Sequence, residues 1–263
     1  MPYSTIYDKI GEGYNKTRKA DQYITTRLFD LLNPQKDKTY LDIGCGTGNY
    51  TIALSELGVN LIGVDPSEKM LEEARSKSDN INWLHGYAEN IPFNNQHFDG
   101  AIATLTIHHW THLENSFLEI ARVLKPQSKF VVFTFTPLQE SGYWFNYYFP
   151  EMMKKSIKKA IPQEVVINAA TNAGFTIKWT ENYEVQTDLQ DMFGYSGKHN
   201  PEIYFDPEIR KGISSFTLLA DQEEVRAGLK LLRETIDNGT FEQIKNSYNN
   251  PNGDYLFMVF EGR

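Results

Sequence analysis

The stretch LDIGCGTGNY, residues 41–50, sets three glycines at alternating positions directly behind an apolar run, with an aspartate two residues ahead of the first. Glycine tolerates left-handed backbone and lets a ligand come close to the main chain, so a turn this bare between a strand and a helix suits a nucleotide. The spacing separates the nucleotide classes. A dinucleotide fingerprint wants G-x-G-x-x-G, whereas Gly44, Gly46 and Gly48 are followed by Asn49. A Walker A loop fails outright, because no Gly-Lys-Ser/Thr follows. Asp42 sets the sign of the ligand: a carboxylate at the strand end repels pyrophosphate and attracts an ammonium group. Asp65, closing the next strand, is placed to accept hydrogen bonds from ribose hydroxyls. A nucleoside with a cationic tail fits these demands, and S-adenosylmethionine is such a molecule.

Two further clusters carry chemistry-bearing side chains. HHWTH groups His108, His109 and His112. A zinc site needs more ligands and supporting hydrogen bonds, which neither the lone Cys45 nor this spacing supplies, so no metal is expected. YWFNYYF, residues 143–149, is almost wholly aromatic: it either walls an apolar substrate or a sulfonium, or packs a lid onto the core. Lys154, Lys155, Lys158 and Lys159 follow on a predicted helix, where a solvated face is favoured over a patch for an acidic substrate or RNA.

The elements that must position these groups follow from periodicity. Ala20, Tyr23, Ile24, Leu28, Leu31 and Leu32 form a helical stripe ended by Pro34. A strand at about 39–43, the glycine turn, a helix near 48–57 stopping at Gly58, a strand VNLIGVD and a helix EKMLEEARSK capped by Ser67 complete a β-α-β unit. The rhythm repeats through INWL, FDGAIATLTI, a helix with the stripe Leu113, Phe117, Ile120, Ala121 and Leu124, and the strand KFVVFTFT. Alternating strands and helices imply a largely parallel sheet covered on both faces. Beyond Pro137 come a helix at 163–173, a strand FTIKWTENYEV, and a helix opened by a capping box of Asp221 and Glu224 and stopped at Gly239. DYLFMVF closes the chain. The expectation is one α/β domain over residues 1–263, with insertions at about 138–162 and 187–250 forming a lid.

Composition narrows the function class. Hydrophobic residues make up 40% and charged residues 23%, as in ordinary globular proteins. A net charge of -8 argues against gripping phosphate backbones, no apolar run is long enough for a membrane span, and no secretory signal opens the chain. A cytoplasmic protein that does not bind nucleic acid is expected.

Taken together, these motifs resemble the class I S-adenosylmethionine-dependent methyltransferases, in the group that holds ubiquinone/menaquinone C-methyltransferases and many small-molecule enzymes. LDIGCGTG resembles the first family motif, VDPSEKML the second, GYAENIPFNNQHFD the adenine-contacting segment, and ATLTIHHW with LEIARVLKP the fourth strand and its following helix. The resemblance is dense over about 40–136 and looser in the arm YDKIGEGYNKTR; KPQSKF departs from the Gly-Gly turn usual before the fifth strand. It implies a Rossmann-like, seven-stranded, mostly parallel sheet with helices on both faces, an antiparallel last strand and helical lid insertions. It also implies a small-molecule methyl acceptor and S-adenosylhomocysteine as product. Gly44 and Gly46 would border the methionine moiety. Met70, Ala88 and Glu89 would border the adenine, though Met70 also suits plain core packing. Tyr14 and Arg18 would close over the cofactor from the arm, with Arg18 near its carboxylate, and Thr104 would meet it through its backbone. His108, at the end of the fourth strand, is the candidate general base, with His109 next. Two competing readings are an RNA methyltransferase and a non-catalytic protein that binds the cofactor.

Overall fold

Strand residues alternate between two apolar faces, which lets one sheet carry helices on both sides. Tyr40, Ile102, Val131, Phe133 and Phe257 belong to one buried cluster, and their neighbours Leu41, Ala101, Phe130, Val132 and Met258 to the other. The computed structural model of the chain describes residues 17–248 and 250–263. Within them a 7-stranded sheet contains β1 (Thr39–Ile43), β2 (Asn60–Asp65), β3 (Asn82–His85), β4 (Phe98–Thr104), β5 (Leu124–Thr134), β6 (Phe175–Tyr183) and β7 (Tyr255–Gly262). Their spatial order is β3-β2-β1-β4-β5-β7-β6. Strands β3, β2, β1, β4 and β5 pair in parallel, and β7 runs antiparallel between β5 and β6, as the motif pattern implied.

Helices α1 (Gln22–Leu32) and α2 (Asn49–Glu56) bury Ile24, Leu28 and Leu54 on the first face. Each such side chain, fully buried, contributes roughly 1.5–3 kcal/mol of transfer free energy. Asp21 starts α1 by accepting from the Ile24 N–H at 3.0 Å, and Asn33, at φ 50°, ends it. Helix α3 (Glu68–Lys77) packs Leu71 and Ala74 on Trp83 of β3. Helix α4 (Leu113–Val123) lays Phe117 and Ile120 on the second face. After β5 come α5 (Pro137–Ser141), α6 (Phe145–Tyr148) and α7 (Pro150–Lys159), and the chain then returns to the second face as α8 (Gln163–Asn172). Between β6 and β7 lie short 3-10 turns and α9 (Pro207–Lys211), α10 (Ser214–Leu218), α11 (Gln222–Asp237) and α12 (Phe241–Ser247).

The aromatic run at 143–149 joins the two helical segments. Phe145 and Phe149 meet Phe216 of α10 edge to face, and Trp144 meets Phe241 of α12 in the same way. Packing thus accounts for most of that run, while Tyr147 stays 45% exposed. On the lysine-rich helix, Lys155 donates to the Leu219 carbonyl at 2.9 Å and tethers α7 to the chain after α10.

Two local expectations are corrected and one departure from the family pattern is explained. Leu124, counted in the helical stripe of α4, opens β5 and pairs with Phe98, because Pro126 disfavours another helical turn just before it. In the KPQSKF turn, Gln127 takes φ of 62°, the left-handed geometry that glycine usually supplies. The capping box at Asp221 and Glu224 does not form. Asp221 accepts from the Glu223 N–H at 2.8 Å, while Glu224 accepts from the Glu151 N–H at 2.7 Å and the Met152 N–H, covering the first turn of α7. That N-terminus offers unpaired donors and a positive dipole end, a stronger demand on a carboxylate than the exposed start of α11. Glu224→Ala should therefore cost about 1–2 kcal/mol in urea unfolding, as lost N-caps do. An unchanged midpoint would mean that this contact holds nothing.

Candidate active site

The glycine turn is bent by backbone geometry and crowded from outside. Gly44, at φ 74°, donates to the Val64 carbonyl at 2.7 Å, and a Cβ there would sit 2.1 Å from Thr106 Oγ1. Gly48, at φ 75°, caps α2, and a Cβ there would fall 2.4 Å from the Trp83 ring. Gly46, at φ 56°, has nothing within 4 Å of a Cβ position, so its side faces open space. Asp65 fastens the turn: Oδ2 accepts from the Gly46 N–H at 2.8 Å and Oδ1 from the Ser67 N–H at 2.9 Å. Each oxygen keeps a further lone pair.

These groups border a cleft at the carboxyl ends of β1, β2 and β4, enclosing about 1000 Å³ of atom-free space with its open mouth included. Arg18, Asp42, Gly44, Gly46, Asp65, Met70, Ala88, Glu89 and Thr104 all line it. Tyr14 lies outside the described residues. Asp42 is 2% exposed; Oδ2 accepts from Thr51 Oγ1 at 2.6 Å, and Oδ1 has no partner among the described residues. Burial lifts its carboxyl to about 7 and that of Asp65 to about 6. Thr104 Oγ1 is likewise buried and unpartnered. Glu89 accepts from the backbone of Thr111 and His112, so its carboxylate organises the approach to α4. Met70 and Ala88 are both buried.

The sequence reading missed the roof of this cleft. Asp191, between β6 and α9, takes Arg18 in a two-pronged ion pair, Nε to Oδ1 at 2.5 Å and Nη2 to Oδ2 at 3.1 Å, and accepts from Tyr50 Oη at 3.1 Å. The expected place of Arg18, beside the cofactor carboxylate, must be shared with this pair. No local pattern in DLQDMF distinguishes Asp191 from a surface acid.

A second hollow adjoins the first, with Arg18, Leu105 and His109 lining both. His108 borders the second hollow and not the first. Its ring packs 4.7 Å from Phe135 and 3.8 Å from His109, and its Nδ1 has no partner among the described residues. Burial, aided by His109, holds His108 well below the ordinary histidine value, and His109 falls to about 4, so both rings are neutral at pH 7. Leu105 carries φ of 52°, a left-handed strain worth about 1–2 kcal/mol, where the hollows meet. Glu140, also unforeseen, lines the second hollow. Among the described residues, no group of three His, Cys, Asp or Glu is arranged to hold a metal, and no helix is long and apolar enough to cross a membrane.

Residues 41–132 match the model of a methyltransferase domain. A solved structure of a putative methyltransferase from an antibiotic biosynthesis pathway of Anabaena variabilis is 33% identical, covers 92% of this chain and 98% of its own, and superposes with a TM-score of 0.83. The chain belongs to the class I methyltransferases. Among curated relatives, the biotin biosynthesis bifunctional protein BioHC of Cellvibrio japonicus is 32% identical over 50% of this chain and 26% of its own length. The demethylmenaquinone methyltransferase of Clavibacter sepedonicus is 25% identical over 64% of this chain and 70% of its own.

The methyltransferase-domain match ends inside β5, so Arg18, Glu140 and Asp191 of this methyltransferase all lie outside it. Breaking a buried ion pair from one side strands a charge, whereas removing both partners does not. Asp191→Ala should therefore destabilise the protein by about 3–5 kcal/mol, and Arg18→Met with Asp191→Leu by distinctly less. In a cycle of Arg18→Met, Asp191→Leu and the double variant, a double loss equal to the sum of the two single losses would show that Arg18 and Asp191 act independently.

Proposed function

We propose that this protein methylates a small-molecule acceptor, with S-adenosylmethionine in the cleft above the glycine turn and the acceptor in the second hollow. The observation that carries this reading is the buried Oδ1 of Asp42, without a partner among the described residues, in the same cleft as an open Gly46 and the Asp65 carboxylate. An anionic acceptor atom with no donor is a standing cost of roughly 1–3 kcal/mol or more, removed when an ammonium group arrives. Bound there, S-adenosylmethionine supplies a methyl on a sulfonium, a carbon already activated for in-line displacement. What the chain adds is positioning and exclusion of water.

In this reading Asp65 accepts from the ribose hydroxyls with its remaining lone pairs, Gly44 and Gly46 admit the methionine end, and Met70, Ala88 and Glu89 flank the adenine. Thr104 meets the cofactor at the end of β4. Arg18, held by Asp191, stands over the junction of the hollows and screens it from solvent. His108 borders the acceptor side as a neutral imidazole, the form that accepts a proton from an acceptor arriving protonated. Residues 138–162 and 187–250 form the lid of a single domain. The acidic balance of the chain speaks against an RNA substrate.

Calorimetry with S-adenosylhomocysteine tests the cofactor assignment, and absence of binding would sink it. Asp65→Asn should weaken that binding about 100-fold, the worth of two hydrogen bonds to a charged group. The pH dependence has a definite sign. Because Asp42 is neutral below about 7, affinity should be full above that value and fall as pH drops through it. Asp42→Asn should give weak binding that keeps only the fall around 6 set by Asp65; a profile in the unmodified protein that shows no additional fall near 7 would reject the ammonium contact.

A further inference from the structure

The second hollow contains a buried acid that methyl transfer as described above does not use. Glu140 is 5% exposed and sits on α5, where Thr136 and Gln139 fix the helix start: the Thr136 N–H donates to Gln139 Oε1 at 2.9 Å. One carboxyl oxygen, Oε1, accepts from Ser156 Oγ of α7 at 2.6 Å. The other, Oε2, is buried and has no partner among the described residues, yet the residue lines the hollow. Burial lifts this carboxyl to about 7, with the Ser156 hydrogen bond pulling the other way and no cation contributing. A carboxylate left thus is costly unless its partner is supplied from outside the chain.

The walls say what that partner is. Phe135, Tyr143, Phe145, Phe193 and Tyr255 line the same hollow. Tyr143 is locked by stacking on Tyr195 with centroids 4.0 Å apart, and its hydroxyl donates to the Asp254 carbonyl at 2.5 Å. Rigid aromatic faces around a single acid favour an organic cation over a neutral polar group, since ring faces attract cations and the acid completes the pair. We propose that Glu140 anchors the methyl acceptor by a protonated amine, and that the acceptor is therefore an amine carried on an apolar or aromatic body. This rests on the reading of the second hollow as the acceptor site.

Proton release makes the idea directly testable. With its carboxyl lifted to about 7, Glu140 is partly protonated near neutral pH, so pairing with a cation expels a fraction of a proton to the buffer. The other ionisable groups around the hollow do not titrate there. Arg18 is paired with Asp191, His108 and His109 are held below their ordinary values, and Tyr143 and Tyr255 above theirs.

The experiment is calorimetry of phenethylamine, phenethyl alcohol and ethylbenzene against protein saturated with S-adenosylhomocysteine, in buffers of differing ionisation enthalpy. The expected result is about tenfold or greater preference for the amine, with proton release. In Glu140→Gln both the preference and the release should vanish, with S-adenosylhomocysteine affinity unchanged. Equal binding of alcohol and amine, or amine binding unaltered by Glu140→Gln, would overturn the proposal. If the substitution disturbs the fold, selectivity and proton release in the unmodified protein still decide it. Failure of S-adenosylhomocysteine itself to bind would instead strike the underlying methyltransferase reading.

Discussion

The site depends on one constraint, the parallel pairing of β1 with β2 on one side and β4 on the other. The crossover from β1 to β2 and the path into β4 lead away in opposite directions, so a crevice must open at the carboxyl end of β1. The chain fills that crevice with backbone rather than side chain. Left-handed glycines curl over the strand end, Thr106 and Trp83 crowd them from outside, and Asp65 ties the turn to the start of α3. Any side chain at Gly44 or Gly48 would collide with these neighbours, so the turn has little freedom to rearrange.

Buried acids give the two hollows their character. Asp42 in one and Glu140 in the other each present one bonded oxygen and one that has no partner among the described residues. Asp65 and Asp191, by contrast, have both oxygens bonded within the chain, by backbone N–H groups in one case, where each oxygen keeps a further lone pair, and by Arg18 and Tyr50 in the other. Engaged acids hold the architecture, while half-engaged acids lower their cost by meeting a cation from outside. Both proposed ligands, a methyl donor with an ammonium tail and an amine acceptor, follow from that division. The strained Leu105 and the Arg18–Asp191 pair stand at the boundary, where the reacting atoms of the two would meet.

What was legible in the sequence is what is local. Alternation and helical stripes located all the strands and the helices that cover the sheet, because those patterns answer to neighbours a few residues away. The glycine turn, Asp65 at its strand end and Ser67 as a cap belong to the same class. Asp191 meets Arg18 173 positions earlier, and Glu224 serves a helix start 73 positions earlier, so neither partner can be inferred from its surroundings in the chain. Glu140 carries no local signal in the chain; only the packing of α7 and the aromatic cluster buries it. For the aromatic run, composition left a substrate wall and lid packing both open; its tertiary partners use most of it for packing, while Tyr143 and Phe145 also line the second hollow.

The central claim is that donor and acceptor occupy adjoining hollows that meet at Leu105 and His109. A crystal structure of the complex with S-adenosylhomocysteine tests it most directly. The account predicts the amino group on Asp42 Oδ1, the ribose on Asp65, and the sulfur turned toward the second hollow beside Leu105. A complex with the sulfur directed away from that hollow, or with the ligand bound elsewhere, would contradict it.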